Sequence, residues 1–536
     1  MNLAGIRDYA TGYPFKNLMW GARPWLTKNV DRSGPFNTQL ADKIPLDKQG
    51  YPLEIPFKPE GAEQEQVVFT LLPNVTEPGR YILLYDGEGE IEGHFTTKVL
   101  ESKPGRIVLE MKNIADDAGY EGFLIKKSLR KNPIRNIRIL RLEDENADLQ
   151  ANPFREDFLD YARQWHVLRF MDWMQTNNSL EKEWAARKHP DFYTMVGEGG
   201  DAIGMWGKKP SRFTQLFSGG VALEILIQLA NLTKTDPWFC IPHRATPEYM
   251  SEMAKLIKKQ LDPSLTAYIE YSNEVWNWQF QQAHWMLHSK STAAGLSPKI
   301  AWKNAVVPKN FPLDDGEVAP DTGAGHPERM GVLDRRCFEQ FEKVFSGADR
   351  KRIVRVIGVQ GGWFDTIQRT VDYVMKNGGA DAISPAAYFG PNDEIYERWA
   401  TAGAGLTADQ VIEDMRGVIE RSNLSELTEL AKKYNLRLIA YEGGQHIQPK
   451  NQEETDYMPA LKAAQYHPGM YDLYIKNLRN YQQAGFDLLT AFSSIGKQGL
   501  RWGSWGSSEY YGQPLSEAPK LRALVHSNAS KSKAEK

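Results

Sequence analysis

The chain has 536 residues, 41% hydrophobic and 25% charged, which is ordinary globular usage and sets aside both a disordered polymer and a membrane protein. Its net charge of −3 is spread over 65 basic and 68 acidic residues, leaving no basic footprint for nucleic acid and no polybasic patch for a membrane surface. Length permits more than one domain, although a barrel with long loops can absorb over about 400 residues by itself.

Cys240 and Cys337 are the only cysteines, too few for a disulfide framework and without the spacing of a zinc site. No stretch is long and apolar enough to cross a bilayer, and the opening Met1-Asn-Leu-Ala-Gly-Ile-Arg7 lacks a basic segment followed by an apolar one. A first strand that begins almost at Met1 fits a mature chain trimmed of an export signal. The expected location is therefore secreted or periplasmic, with a cytoplasmic protein as the alternative. There are 15 Trp, 23 Tyr and 22 Phe, and the tryptophans gather near strand ends in the second half, where flat sugar rings can stack on them.

The first predicted strand is Asn2–Ile6. Between about Thr27 and Glu145 helical periodicity vanishes, and short alternating runs appear between Pro, Gly and Asp: Gln66–Leu72, Gly79–Asp86, His94–Leu100, Arg106–Met111 and Phe123–Leu129. This is a β-sandwich pattern. Inside it, Asp86–Gly93 has the wrong glycine spacing for a dinucleotide turn and is predicted to form a hairpin turn.

From about Pro153 the texture becomes apolar strand, loop, amphipathic helix, the signature of parallel βα units. The predicted strands are Trp165–Trp173, Pro237–His243, Tyr268 to Asn273-Glu274, Arg352–Gln360, Ala382–Tyr388, Leu436–Glu442 and Asp487–Phe492. A helix is expected at Pro247–Gln260, with Thr246 as its N-cap ahead of a proline at the first helical position. The acidic run Asp314–Asp321 lacks full calcium-ligand spacing and reads as a surface loop. No cofactor and no metal are expected.

Eight such strands predict an α/β fold, a (β/α)8 TIM barrel with an inserted β-sandwich-like module. The barrel would comprise residues 1–26 and 146–526, the β-rich module 27–145, and a disordered tail 527–536. An open doubly wound sheet is the alternative, but its glycine-rich phosphate turn is missing.

In a (β/α)8 barrel the reactive groups stand at the C-terminal ends of the strands. Two apolar strands here end in a glutamate: Tyr268-Ile-Glu-Tyr-Ser-Asn273-Glu274-Val-Trp276 and Leu436-Arg-Leu-Ile-Ala-Tyr-Glu442-Gly443-Gly444. A surface or salt-bridged role is the plain alternative for each, but a charge at the end of a buried run needs a reason. One acid to protonate a leaving oxygen and one carboxylate to attack an anomeric carbon are the minimum equipment of a retaining glycosidase. Gly443 and Gly444 suit a backbone that comes close to a ligand.

The order Arg169 on the second strand, His243 on the third, Asn273-Glu274 on the fourth, Tyr388 on the sixth, Glu442 on the seventh and tryptophans after the eighth resembles clan A of the retaining glycoside hydrolases, which includes family five cellulases and mannanases. The phrase Glu270-Tyr-Ser-Asn-Glu-Val-Trp-Asn277 also resembles bacterial proteins loosely described as cellulose-binding. The resemblance implies Glu274 as general acid/base and Glu442 as nucleophile. It further implies Asn273 on the sugar 2-hydroxyl, Tyr388 and Arg169 on the Glu442 carboxylate, His243 on a hydroxyl near the cleavage point, and Trp502 or Trp505 under the ring. Arg169 would lower the Glu442 pKa. The chain departs from family five in lacking a histidine two residues before Tyr388 and in having Gly-Gly after Glu442.

A retaining hydrolase of a polysaccharide or oligosaccharide is the first reading, with a β-1,4-glucan favoured. A non-catalytic carbohydrate-binding protein on a barrel scaffold is the second. An aldolase or lyase is the third, although no Schiff-base lysine, metal cluster or phosphate loop marks the strand ends.

Overall fold

A computed structural model describes residues 1–73, 77–112, 119–197, 213, 216–277, 279–287 and 327–534. The acidic run Asp314–Asp321 lies outside the described residues. Eight strands lie between Leu26 and Arg141: β1 (Leu26–Asn29), β2 (Gln66–Leu71), β3 (Gly79–Asp86), β4 (Gly89–Phe95), β5 (Lys98–Lys103), β6 (Arg106–Met111), β7 (Glu121–Ser128) and β8 (Arg135–Arg141). They form two four-stranded antiparallel sheets, ordered β1-β2-β7-β4 and β5-β6-β3-β8.

Two local expectations in this region are corrected. Asp86–Gly93 is not a hairpin, because β3 and β4 belong to different sheets and the chain crosses between them there. At Gly87 the backbone has φ 96°, and a Cβ would lie 2.1 Å from the Pro133 carbonyl oxygen, so the crossing requires glycine. The predicted run His94–Leu100 is likewise broken, since Phe95 takes φ 61° and the chain crosses back to the other sheet before β5.

The remaining strands are parallel: β9 (Val167–Arg169), β10 (Asp236–Ile241), β11 (Ala267–Tyr271), β12 (Ile353–Val359), β13 (Ala382–Phe389), β14 (Arg437–Ala440), β15 (Glu442–Gln445) and β16 (Phe486–Leu489). Along the sheet they run β16-β14-β13-β12-β11-β10-β9, with β15 also paired to β13. Helices separate consecutive strands: Leu223–Thr233 precedes β10, Pro247–Gln260 precedes β11, Glu328–Val344 precedes β12 and Phe364–Lys376 precedes β13. Helix Pro247–Gln260 has the predicted bounds, and the Thr246 side chain accepts from the Tyr249 N–H. These strands are buried on both faces, as a sheet covered by crossover helices must be.

The two edges of this sheet meet through the first residues of the chain. The Asn2 N–H donates to the Ala491 carbonyl at 2.9 Å, while Leu3 N donates to Arg169 O at 3.2 Å and Arg169 N to Met1 O at 2.9 Å. The Met1–Leu3 segment therefore stands between β9 and the end of β16, an arrangement consistent with a (β/α)8 fold. Helix Pro519–Ala534 runs through most of the 527–536 segment expected to be disordered, whose Ala, Ser and Lys residues tolerate helix.

Asn2 is 1% exposed, and its Nδ2 donates to the carbonyls of Tyr441, Thr490 and Ala491 at 2.9, 3.3 and 3.3 Å. Asn2→Ala removes these bonds and the Oδ1 acceptor of the buried Arg169 Nη1, and is expected to cost roughly 2–3 kcal/mol in urea unfolding. An unchanged midpoint would mean that this segment does not tie the sheet edges together.

Candidate active site

Beyond Tyr271, the last residue of β11, the chain makes a sharp turn in which both Ser272 (φ 58°) and Glu274 (φ 42°) adopt the left-handed conformation. That conformation is uncommon for residues with a Cβ and persists only where surroundings impose it. It is imposed here by side-chain bonds. The Glu274 Oε1 accepts from the Tyr441 hydroxyl at 2.9 Å, and its Oε2 accepts from Asn277 Nδ2 at 2.8 Å.

On the facing strands a bulge does the corresponding work. Ala382 pairs with Arg437 and Ala386 with Glu442, so five steps on one strand match four on the other. An extra residue re-aims side chains that would otherwise alternate between faces. Tyr441 thus reaches Glu274 while its neighbour Glu442 accepts from Arg169 Nη1 at 2.8 Å and from the Tyr388 hydroxyl at 2.9 Å. The Tyr441 carbonyl at the bulge is taken up by Asn2 Nδ2 and the Thr490 hydroxyl.

Gly443 and Gly444 are explained by packing rather than by a ligand. A Cβ on Gly443 would lie 2.9 Å from Ala387, its partner in β13, and one on Gly444 (φ 132°) would lie 2.7 Å from the Tyr474 hydroxyl.

Arg169 is wholly buried beside Glu442. Its Nε and Nη2 donate to Glu270 at 3.0 and 2.8 Å, Nη2 also to Asn273 Oδ1 at 2.8 Å, and Nη1 to Asn2 Oδ1 at 3.0 Å as well as to Glu442. All five N–H groups have acceptors. The ring of Tyr441 lies 5.0 Å from the guanidinium carbon and that of Trp238 5.5 Å.

Glu270 is a third carboxylate of the centre, and no role was read for it in the sequence. It is 2% exposed and also accepts from Trp238 Nε1 at 2.8 Å and the Cys240 thiol at 3.4 Å. A signal was present: a buried arginine in mid-strand demands a carboxylate partner, and Glu270 lies in mid-strand two strands away.

Burial decides the electrostatics of Glu442. Burial pushes Glu442 up to about 8, and the neighbouring Glu274 charge adds to the rise. Arg169 and the Tyr388 hydroxyl pull the other way without offsetting it. Arg169 does lower this pKa, as expected, but burial outweighs it, so the carboxyl ends above its ordinary range.

Asn273 is 2% exposed, with Oδ1 on Arg169 and Nδ2 donating to Asn177 Oδ1 at 3.0 Å. Trp505 stands beside Tyr388 (ring centroids 5.7 Å) and His446 (4.8 Å). His446 is exposed and completes this aromatic wall, and sequence reading gave it no role. Trp502 is instead 53% exposed with the Arg501 guanidinium over its ring, and its link to the wall is its carbonyl, which accepts from Trp505 Nε1 at 3.0 Å. His243 is 1% exposed, its Nε2 accepts from Arg244 Nε at 3.4 Å, and its ring meets Trp285 edge-on. Burial and the Arg244 charge hold it well below the usual histidine range, so it is neutral. No described hydrogen bond links it to either carboxylate.

Among the described residues no group of three His, Cys, Asp or Glu side chains could hold a metal ion, and no helix is long and apolar enough to cross a membrane.

Several solved structures are similar in part. A fungal β-1,4-galactanase is 10% identical, covering 69% of this chain and 92% of that one, with a TM-score of 0.34. A family 51 α-L-arabinofuranosidase from Bifidobacterium longum is 12% identical over 69% of this chain and 67% of that one, also at 0.34. A GH5 xyloglucanase from Bacteroides ovatus, in complex with a heptasaccharide, is 12% identical over 85% and 95%, at 0.27. Likeness this slight carries no argument about fold or function. No family model matches the chain, and neither does any curated protein.

The raised Glu442 pKa has a thermodynamic consequence of definite sign. A carboxyl whose folded pKa is raised contributes stability that is full below its unfolded pKa and is lost as the pH climbs through the folded value, here about 8. Relative to Glu442→Gln, the unmodified protein is expected to lose melting temperature between about pH 5 and about pH 8. A gap that stays constant across that range would contradict the buried, raised carboxyl.

Proposed function

We propose that the chain is a retaining glycoside hydrolase that cleaves β-glycosidic bonds of a polysaccharide or oligosaccharide by double displacement, with a β-1,4-glucan the favoured substrate. One observation carries this reading: two carboxylates at separate strand ends, close enough for one charge to raise the other's pKa, are each held by one tyrosine hydroxyl and one N–H donor.

The difference between the N–H donors assigns the roles. Glu442 accepts from a fixed cation, which favours its ionised form and suits a nucleophile, whereas Glu274 accepts from neutral donors and is less buried, which suits a group that changes protonation state. A Glu442 oxygen attacks the anomeric carbon as the bond to the leaving oxygen breaks and Glu274 gives that oxygen its proton. Glu274 then removes a proton from water, whose oxygen attacks the anomeric carbon and releases Glu442. Two carboxylates coupled in this way share one proton before the first step, and the pair rather than either residue sets the pH profile.

The wall formed by Tyr388, His446 and Trp505 offers flat faces to the sugar ring at the point of cleavage. Asn273 has a second amide N–H available for a sugar hydroxyl. His243 and Trp502 lie outside this cluster of contacts. In the same reading the ring of strands is a complete (β/α)8 catalytic barrel formed by residues 1–26 and 146–526. Residues 27–145 are a β-sandwich-like module inserted between its first and second strands, and the protein is secreted or periplasmic.

Glu274→Gln and Glu442→Gln are each expected to cut release of reducing sugar from the best polysaccharide of a panel by about a hundredfold to ten-thousandfold. Azide then separates the roles with activated aryl glycosides: Glu274→Ala yields the azide of retained configuration and Glu442→Ala that of inverted configuration. Full activity in either glutamine variant, or the reverse pattern of azides, would refute the assignment. Retention of glucans on an affinity gel with no hydrolysis of any polysaccharide would replace it by a binding protein.

A further inference from the structure

We infer that Tyr441 is the positioning residue that holds Glu274 for proton transfer through its hydroxyl, 2.9 Å from Oε1, an inference that rests on the hydrolase reading above. The bulge makes it possible. With regular alternation, residues 441 and 442 would point to opposite faces, whereas the extra residue lets both serve the two carboxylates. One short segment therefore supplies the nucleophile and a donor to the acid/base.

Three features suit Tyr441 to this task. Its side chain is fixed, being 1% exposed with Arg169 5.0 Å from its ring centre and Trp276 at 6.3 Å. Its hydroxyl stays protonated, because burial first and then the Glu274 and Glu442 charges push its own ionisation well above the usual tyrosine range. Finally, it bonds the oxygen of Glu274 that Asn277 does not, so each oxygen of the carboxylate has one donor.

A hydrogen bond donated to a carboxylate stabilises the ionised form alone, and such a bond is typically worth one or two pH units. Among the described residues, the charged and titratable groups that face Glu274 from the surrounding strands are Glu442, Tyr388 and Tyr441. The Tyr441 hydroxyl and the Glu442 carboxyl thus meet the same group, one through a hydrogen bond and one as a neighbouring charge.

Tyr441→Phe keeps the ring and removes the hydroxyl. The basic limb of kcat/KM on a glycoside with a poor leaving group is expected to move up by about one pH unit. The same shift is expected without turnover, in the Glu442→Gln background, where carbon-13 labelling of the glutamate carboxyls reports the Glu274 titration directly; Glu274→Gln assigns the resonance. Asn277→Leu, which removes the other donor, should move it in the same direction. Should the resonance shift while the unmodified protein hydrolyses no glycoside, the proton coupling stands and the hydrolase reading falls. A limb and a resonance both unmoved in Tyr441→Phe, with only a lowered melting temperature, overturn the inference and leave Tyr441 a packing residue.

Discussion

Arg169 is the single group on which the rest of the centre depends. Its five N–H groups join four side chains that the chain delivers separately: Asn2 from the first segment, Glu270 from β11, Asn273 from the turn after it, and Glu442 from β15. A buried guanidinium is tolerable only when so paired, and breaking such a pair typically costs roughly 3–5 kcal/mol because the partner charge is stranded. The arrangement also has an excess of negative charge, one cation against Glu270 and Glu442 with Glu274 nearby. Burial first, and the Glu274 charge after it, hold the Glu442 carboxyl above its ordinary range, against the pull of Arg169.

Two departures from regular backbone aim the reactive groups. On one side of the ring, left-handed Ser272 and Glu274 turn the chain tightly after β11; on the other, the bulge between β14 and β15 turns Tyr441 and Glu442 together. Each is secured by polar contacts, Tyr441 and Asn277 on the first and Asn2 and Thr490 on the second. Strain and hydrogen bonding thus meet at the same few residues, as they do where geometry must be held to fractions of an ångström.

The parallel strands other than β15, whose Glu442-Gly-Gly-Gln445 is not apolar, were legible because they are short apolar runs bounded by turn residues, and helix Pro247–Gln260 was legible to the residue because Thr246 and Pro247 mark its start chemically. Glu274 and Glu442 were legible as charges at the ends of such runs. Other features depend on pairing between distant strands and leave little trace in local pattern. The bulge is defined only by register against β13, so Tyr441 read as one more buried aromatic, and the crossing at Asp86–Gly93 mimics a hairpin because both need glycine. Glu270 was hidden by its place inside an apolar strand, where its meaning comes from Arg169 two strands away.

The nucleophilic role of Glu442 beside Arg169 is tested most directly by trapping the covalent intermediate. Incubation with an activated 2-deoxy-2-fluoro-β-glycoside, followed by peptide mass spectrometry, should show one sugar per chain attached to the peptide that carries Glu442. A sugar found on Glu274 instead, or hydrolysis of the reagent with inverted configuration and no labelled peptide, would contradict the account.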